Sequence, residues 1–317
     1  MDKTAVIIRT HFYNECLGSF ADRIRSETGF LVCFVVDERR QTINVPERFL
    51  KISHTLEAMT ALELFTDCSD LFWRCGDYVF YNAYQKLQDY AFFWVIEPDI
   101  YLNFSNLNDF FNFFEKDIET DFLSLVFDEA NPSWGSNFEN MNRFSETVYR
   151  CYYSLMRLSN RSIKFLLHKR QSLTKKHFTR EANKEPLSES FYPNDESFTA
   201  TTLVQNGFRV RDMNDYGKNF YTARSMYEGP FSPRQLTQLG EDQLIYNHVF
   251  SGAEYTKRAF SALEWENVAI KSNDNFKARF SRPEICANIM SEDSVKAAAA
   301  YLCRVAEIIE AREASNK

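Results

Sequence analysis

Two apolar, β-branched segments separated by one amphipathic stretch constrain the fold of this chain more than any other feature. "TAVIIRTH" (4–11) and "FLVCFVVDE" (30–38) are apolar along their length instead of alternating, which is typical of parallel strands covered on both faces. The segment between them has apolar residues at helical spacing, and Gly29 supplies a helix stop. The pattern predicts a β-α-β unit and therefore an α/β fold.

The same alternation of strands and helices continues along the chain. The further predicted helices are 57–66, 76–89, the segment "SNLNDFFNFFEKD", one or two helices over 146–173, and a helix within 194–213 with Asn194 or Asp195 near its cap and Gly207 as its stop. The further predicted strands are 91–96, 122–127 and a short one after Gly207. An open α/β sheet binds its ligands at the carboxyl ends of its strands. We therefore expect functional residues directly after the strands.

The organisation of the chain favours one domain with an extension. A chain of 317 residues is long enough to bury a sizeable core, and no Pro/Gly/Ser-rich linker divides it into independent halves. "SEDSVKAAAAYLCRVAEIIEAREA" (291–314) has the capping start and apolar periodicity of a terminal amphipathic helix. The sequence predicts a catalytic domain over 1–260 and a C-terminal extension over 261–317.

Charge, hydropathy and cysteine usage narrow the class of protein. The formal net charge of −7 predicts no bulk attraction for nucleic acid. "MDKTAVIIRTHF" predicts neither a secretion signal nor a membrane span, and no later segment reaches the roughly 18 apolar residues that a span needs. The seven cysteines are scattered without a C-x-x-C pair, which favours a reducing compartment. We expect a cytoplasmic protein.

Two carboxylates follow one of the most apolar segments, in "DYAFFWVIEPDIYLN" (89–103). Residues 92–96 predict a buried strand, and Glu97 and Asp99 come directly after it on either side of Pro98. Carboxylates at i and i+2 at the carboxyl end of a strand can hold a divalent cation or a sugar hydroxyl. The alternative is a solvated strand end with a turn-forming proline.

The block "DLFWRCGDYVFYNAYQKLQDYAFFWVIEPDIYL" (70–102) resembles the nucleotide-sugar-binding half of GT-A glycosyltransferases. It is most similar to bacterial glycosyltransferase-like proteins with the pattern "GDY…Y…DYxxxWxIExD", in which an acidic motif binds the donor diphosphate through a metal. Glu97-Pro98-Asp99 takes that position, as a variant of D-x-D. The resemblance implies an α/β, GT-A-like, mixed but mainly parallel sheet flanked by helices, with a helical C-terminal extension.

The resemblance also implies residues that contact the donor. Arg74 and Asp77 lie where the helix before the acidic motif meets the nucleotide sugar, and Asp77 is equally explained as a helix-start charge interacting with the dipole. Arg9 and Thr10 end the first strand and Asp37 ends the second, where these enzymes bind the base and ribose. Glu97 joins this predicted donor-binding set.

A second acidic pair stands in "YPNDESFTATTLVQNGF" (192–208). The segment resembles the "P-D-E-x-x-x-A-T" helix start of inverting, core-branching N-acetylglucosaminyl enzymes, whose Glu deprotonates the acceptor hydroxyl. Glu196 takes that position beside Asp195, so these two are the predicted catalytic residues. The alternative is an acidic first helical turn that serves capping alone.

The departing nucleoside diphosphate needs a cation. Many metal-dependent GT-A enzymes use a late histidine, so the resemblance implies Mn²⁺ or Mg²⁺ held by Glu97, Asp99 and His248. The core-branching enzymes work without metal, and the alternative here is stabilisation by Lys257 and Arg258.

The leading hypothesis is an inverting hexosyl- or related transferase. It would move a sugar from a nucleotide-sugar donor to a glycan or lipid-linked glycan in bacterial surface polysaccharide synthesis (lipopolysaccharide O-antigen or capsule), at the inner face of the membrane. One alternative is a non-catalytic module that binds a glycan or nucleotide sugar, and another is a subunit that docks on a membrane or a partner protein through the C-terminal helix. The dinucleotide-binding and P-loop glycine motifs are absent from the sequence, which disfavours a dehydrogenase and an NTPase.

Overall fold

The computed structural model describes residues 3–179, 187–240, 242–269, 275 and 279–315. The chain divides into two compact units. The first unit comprises Met1–Pro98 and Asn106–Asn219, and the second comprises Asp99–Ser105 and Phe220–Lys317. Glu97 therefore belongs to the first unit and Asp99 to the second.

The described strands are, in chain order, β1 (Thr4–Thr10), β2 (Leu31–Asp37), β3 (Leu50–His54), β4 (Phe92–Ile96), β5 (Tyr101–Leu102), β6 (Phe122–Glu129), β7 (Tyr149–Ser159), β8 (Val210–Asp212) and β9 (Ile245–Tyr246). The first unit contains a seven-stranded sheet of order β3-β2-β1-β4-β7-β6-β8. Its strands are parallel except β7, which runs antiparallel between β4 and β6. The predicted mixed, mainly parallel sheet is confirmed, and the carboxyl ends of β1, β2 and β4 share one edge.

Helices flank this sheet. In the first unit they are α1 (Glu15–Thr28), α2 (Leu56–Ala61), α3 (Leu71–Arg74), α4 (Tyr78–Lys86), α5 (Leu107–Glu115), α6 (Ser136–Asn142), α7 (Asn160–Leu173) and α8 (Asp195–Gln205). A π-helix, Thr174–Phe178, extends α7, and short 3₁₀ turns lie at Pro132–Trp134, Glu189–Phe191 and Met213–Tyr216. The Asn14 side chain caps α1, and Gly29 ends that helix at a φ of 74° that favours glycine.

The core of the first unit is rich in aromatic side chains. Every residue of β1 and β4 is buried, and Trp94 packs against Phe110, Phe111 and Phe114 of α5 with ring centroids 5.3–5.9 Å apart. Each fully buried ring stabilises the fold by roughly 2 kcal/mol through loss of apolar surface to water. This packing fixes the strands whose ends carry the candidate site.

The predicted helix over 146–173 is wrong in its first half. Residues Tyr149–Ser159 form β7, and only the remainder is the helix α7. The strand pairs with β4 on one side and β6 on the other, so ladder hydrogen bonds in the sheet outweigh the local helical spacing. Arg157 accordingly lies on a strand, where it is fully buried and donates to the carbonyls of Phe114 and Asp117.

The second unit is mainly helical. It pairs β5 antiparallel with β9 and adds α9 (Ala223–Tyr227), α10 (Pro233–Leu239), α11 (Gly252–Ala269), α12 (Pro283–Glu292) and α13 (Val295–Ser315). The apolar face of α13 is buried in a core with α11 and α12, at Ala298, Tyr301, Val305 and Ile308. The boundary between the units falls at 219/220, and 260/261 lies inside α11.

All seven cysteines are free thiols. Among the described helices, none is both long enough and apolar enough to cross a membrane.

Candidate active site

The ends of β1 and β4 bring the first pair of site residues together. These strands are parallel neighbours in which Ile8 pairs with Ile96, so Arg9 and the residue after β4, Glu97, come side by side. The Arg9 Nη1 donates to Glu97 Oε1 at 2.8 Å. Arg9 is buried and Glu97 is partly exposed, with 29% of its side chain accessible. This ion pair forms one side of the site.

The start of α8 forms the other side. Asn194 caps the helix by accepting the amide of Ser197 at 3.1 Å. Asp195 is buried at the first helical position, where its carboxylate accepts the Gly76 amide at 2.9 Å and the Glu196 amide at 2.8 Å. Two amides therefore fix the Asp195 carboxylate, and the cap fixes the turn on which Glu196 stands.

Gly76 joins the two sides. A side chain at this position would overlap both the Arg9 guanidinium and the Asp195 carboxylate, so only glycine leaves room for them. The Arg9 charge accordingly acts on Asp195, and the Glu97 charge acts on both Asp195 and Glu196. We call Arg9, Glu97, Asp195 and Glu196 the carboxylate cluster.

Electrostatics in the carboxylate cluster favour protonation. Burial and then the charge of Glu97 raise the pKa of Glu196 to about 7, although the Tyr153 amide and the Asn194 side chain act in the opposite direction. Burial and then Glu196 raise the pKa of Asp195 well above its usual range, with Arg9 opposing. A carboxylate whose pKa is near neutrality can take a proton from a hydroxyl and later release it.

A buried ion pair between Asp77 and Arg170 supports the start of α8. The Asp77 carboxylate accepts from Arg170 Nε at 2.7 Å, from Arg170 Nη2 at 3.0 Å and from the Tyr81 hydroxyl at 2.7 Å. Arg170 also donates to the Pro193 carbonyl at 2.9 Å, directly before the cap. Asp77, predicted to bind the donor, is thus fully buried and bonded within the protein. No motif or spacing predicts the role of Arg170, which lies 93 residues away from Asp77.

Two other predicted donor residues also have partners within the protein. Arg74 forms two hydrogen bonds with Asp70, at 2.8 and 2.9 Å, and donates to the Tyr192 carbonyl at 3.1 Å. The Thr10 hydroxyl donates to the Phe12 carbonyl at 2.7 Å. Both lie in the first unit close to the strand ends, and their predicted contacts with a donor stay predictions.

Asp37 ends β2 and is held by a cation that the sequence analysis missed. Arg39 contacts its two oxygens at 2.8 and 2.9 Å. Burial alone would raise the pKa of Asp37, but the hydrogen bonds and charge of Arg39 outweigh it, so the pKa lies below its usual value. Asp37 is therefore ionised, and the turn after β2 is anchored.

An aromatic and basic group covers the ends of β1, β2 and β3. The Phe72 ring centroid lies 4.4 Å from the guanidinium carbon of Arg9 and 5.6 Å from that of Arg39. His54 is buried 6.2 Å from the same ring, and burial and then the Arg9 charge lower its pKa to about 3, so its imidazole is neutral. Phe72 and His54 were not predicted as site residues, because the helix α3 that carries Phe72 and the strand β3 that ends at His54 are both short and have no marked apolar pattern.

The second unit contains the remaining predicted metal ligands. His248 Nδ1 lies 3.3 Å from Asp99 Oδ2, and the Asp99 carbonyl accepts the Val249 amide at 2.9 Å. In the described part of the chain, no group of three or more His, Cys, Asp or Glu side chains is arranged to hold a metal ion. Lys257 and Arg258 both form ion pairs with Glu254 on α11, at 3.5 and 2.8 Å.

No family model matches the chain, and no curated protein matches it. Among solved structures, a glycosyltransferase involved in the glycosylation of the major capsid of PBCV-1 is 14% identical, with 77% of this chain and 91% of that chain covered and a TM-score of 0.36. The mannosyltransferase Ktr4p from S. cerevisiae is 11% identical over 67% and 69% of the two chains, with a TM-score of 0.37. Mouse xyloside xylosyltransferase 1 is 12% identical over 69% and 88%, with a TM-score of 0.37. Similarity this distant assigns no function, which must be argued from the site itself.

Proposed function

We propose that the protein transfers a sugar from a nucleotide-sugar donor to a hydroxyl group of a glycan acceptor, with Glu196 as the general base. One observation carries the proposal. Glu97 and Glu196, which are far apart in sequence, act electrostatically on one another at the carboxyl edge of a mainly parallel sheet, and the pKa of Glu196 is raised to about 7. This is the edge at which open α/β sheets bind ligands.

The chemistry assigns one task to each group. As the acceptor oxygen bonds to the anomeric carbon, its proton passes to the Glu196 carboxylate, and the electron pair of the breaking C–O bond leaves with the diphosphate. A single displacement of this kind inverts the configuration at the anomeric carbon. Asp195 positions the first turn of α8 through its bonds to the Gly76 and Glu196 amides, and Arg9 limits the negative charge around it.

Asp99 and His248 are the best candidates for a metal. A carboxylate and an imidazole suit Mn²⁺, and one or two protein ligands suffice when phosphate oxygens and water complete the shell. Glu97 fits this role less well because its Oε1 already accepts a hydrogen bond from Arg9. When bound, such an ion supplies positive charge that stabilises a departing diphosphate.

The acceptor and the location are supported only by the motif resemblance of residues 70–102. On that basis we propose a bacterial surface polysaccharide as the product, assembled at the inner face of the membrane.

The proposal is tested with the Glu196→Gln variant and Glu189→Gln as its matched control, since Glu189 is exposed on the turn before α8. Thermal unfolding is measured with UDP, GDP, UDP-glucose and GDP-mannose, with and without Mn²⁺. A nucleotide at 100 times its Kd stabilises by roughly 2.7 kcal/mol, and we expect this in all three proteins. Release of free nucleotide should be lost in Glu196→Gln alone.

Two results would contradict the proposal. Unchanged turnover in Glu196→Gln would remove the base, and saturable nucleotide binding without turnover by the unmodified protein would favour the non-catalytic binding module.

A further inference from the structure

A groove of about 430 Å³ lies in the first unit between α7 with its π-helical extension and α8. The α7 side is formed by residues that recur at i, i+3, i+4, i+7 and i+8 and so share one face, namely Lys169, Ser172, Leu173, Lys176 and His177. The proposed function does not use any of these residues.

The α8 side of the groove is turned away from Glu196. Phe198, Thr202 and Asn206 recur every four residues and line the groove. Glu196 instead accepts a hydrogen bond from the Tyr153 amide, on the side of α8 that packs against β7. The groove and Glu196 therefore lie on different faces of the same helix.

The groove is basic in a protein that is acidic overall. Arg143, Lys169, Lys176 and His177 line it together, and its described lining includes no Asp or Glu. None of these four side chains forms an ion pair with a carboxylate in the described part of the chain. Arg143, Lys169 and Lys176 carry like charges that repel one another, so a counter-charge from a ligand is favourable here.

Aromatic rings contact two of the four basic side chains. The Arg143 guanidinium carbon lies 3.9 Å from the Phe191 ring centroid, and the His177 ring meets the edge of Phe144 at 5.1 Å. The π-helix Thr174–Phe178 carries Lys176 and His177, and such segments occur frequently at functional sites. Burial and then the charge of Lys176 lower the pKa of His177, which agrees with a positive field in the groove.

We propose that this groove is a second ligand site, which binds an anionic sugar bearing a phosphate or carboxylate group. The basic side chains recognise the anion, while Ser172 and Asn206 suit the hydroxyl groups of the sugar. The volume lies in the range of small-molecule sites.

The groove is physically connected to the start of α8. Pro193 lines it, and Arg170 donates to the Pro193 carbonyl while its guanidinium carbon lies 3.7 Å from the Phe198 ring centroid. A bound ligand therefore contacts the segment that carries Asp195 and Glu196.

The test measures thermal unfolding with glucose 6-phosphate and glucuronate, and with glucose as the neutral control. The double variant Lys169→Gln/Lys176→Gln removes two groove cations, and Lys164→Gln/Lys175→Gln removes two exposed lysines of the same helical segment that do not line the groove. We expect at least one of the two anions to raise the Tm in the unmodified protein and in the control, weakly at high salt, and not in the groove variant. Equal shifts in both double variants, or no shift by either anion at millimolar concentration, would overturn the proposal.

A second measurement uses the unmodified protein alone. Acylation of lysines, followed by mass spectrometry, should show severalfold protection of Lys169 and Lys176 by the stabilising anion, with Lys164 and Lys175 unchanged. Uniform protection, or none, would contradict the site. The outcome is separate from that of the proposed transferase activity, because UDP and GDP binding should be the same in the groove variant as in the unmodified protein.

Discussion

The two ends of the seven-stranded sheet both hold buried carboxylates, but Asp121 at the amino end is compensated by its partners whereas Asp195 and Glu196 at the carboxyl end are not. At the amino end, Asp121 directly precedes β6 and accepts from Arg161 at 2.6 Å, from the Ser159 hydroxyl at 2.8 Å and from the Arg209 amide at 3.2 Å. Burial would raise the pKa of Asp121, yet these partners outweigh it and lower the pKa. The hydrogen bonds and the ion pair of Asp121 therefore stabilise the fold at this end of the sheet.

At the carboxyl end of the sheet, burial and neighbouring negative charge outweigh the partners that lower the pKa values of Asp195 and Glu196. Glu97, Asp195 and Glu196 share the single cation Arg9 within the carboxylate cluster, and the pKa of Glu196 is raised to about 7. Carboxylates with such perturbed pKa values concentrate at functional sites. The difference teaches that local compensation, rather than burial alone, separates a structural carboxylate from a chemically active one.

Among substitutions that distinguish the two ends of the sheet, the largest expected effect is on the rate of sugar transfer. Glu196→Gln should lower sugar transfer roughly 10²- to 10⁴-fold, because general-base assistance is lost while the shape of the site is kept. Asp121→Asn, at the opposite end, should leave the rate per folded molecule unchanged. Initial rates of nucleotide release measure both variants, and equal losses in the two would break the distinction.

The next largest expected effect is on the free energy of unfolding, through the buried ion pair between Asp77 and Arg170. Arg170→Met leaves the Asp77 charge buried without its cation and should lower the free energy of unfolding by about 3–5 kcal/mol. Urea unfolding measures the loss. The exposed Lys164→Met on the same helix serves as the control and should stay within about 0.5 kcal/mol. A loss of that small size in Arg170→Met would show that the pair does not hold α8.

The raised pKa of Glu196 also predicts how the stability of the protein depends on pH. The pKa of Glu196 is about 7 in the folded protein and near 4.5 when unfolded, so the folded state binds more protons between these values. The free energy of unfolding should therefore fall as pH rises across this window, by up to about 3 kcal/mol. Urea unfolding at a series of pH values should show this fall in the unmodified protein and a flatter profile in Glu196→Gln; identical profiles would contradict it.

The smallest effect concerns the amino end. Asp121→Asn weakens the charge-assisted bonds to the exposed Arg161 and should lower the free energy of unfolding by about 1–3 kcal/mol. Because the pKa of Asp121 is lowered by folding, its contribution is present above the ordinary Asp pKa and is lost as pH falls through the folded value. The difference between variant and unmodified protein should thus shrink in acid, and a difference independent of pH would refute this.

Sequence patterns predicted the parts of the fold that are locally encoded. The strands β1, β2 and β4 follow from continuous apolar segments, and the start of α8 follows from the Asn194 cap and acidic first turn. β7 was mistaken for a helix because its pairing with β4 and β6 is a tertiary effect that no local spacing reveals.

The candidate site was predictable only in part for the same reason. Glu97 and Glu196 stand in short motifs, so each could be nominated from its neighbours. Arg170 could not, since its role depends on a contact with Asp77, 93 residues away along the chain. Residues that support a site through such contacts leave no periodicity or motif in a single sequence.

The most direct test of the central claim is a carboxyl-carbon NMR titration of Glu196 in the unmodified protein and in Glu97→Gln. If the two carboxylates share one site, the midpoint is about 7 in the unmodified protein and moves lower once the Glu97 charge is removed. A midpoint near 4.5, or one that Glu97→Gln leaves in place, would contradict the account.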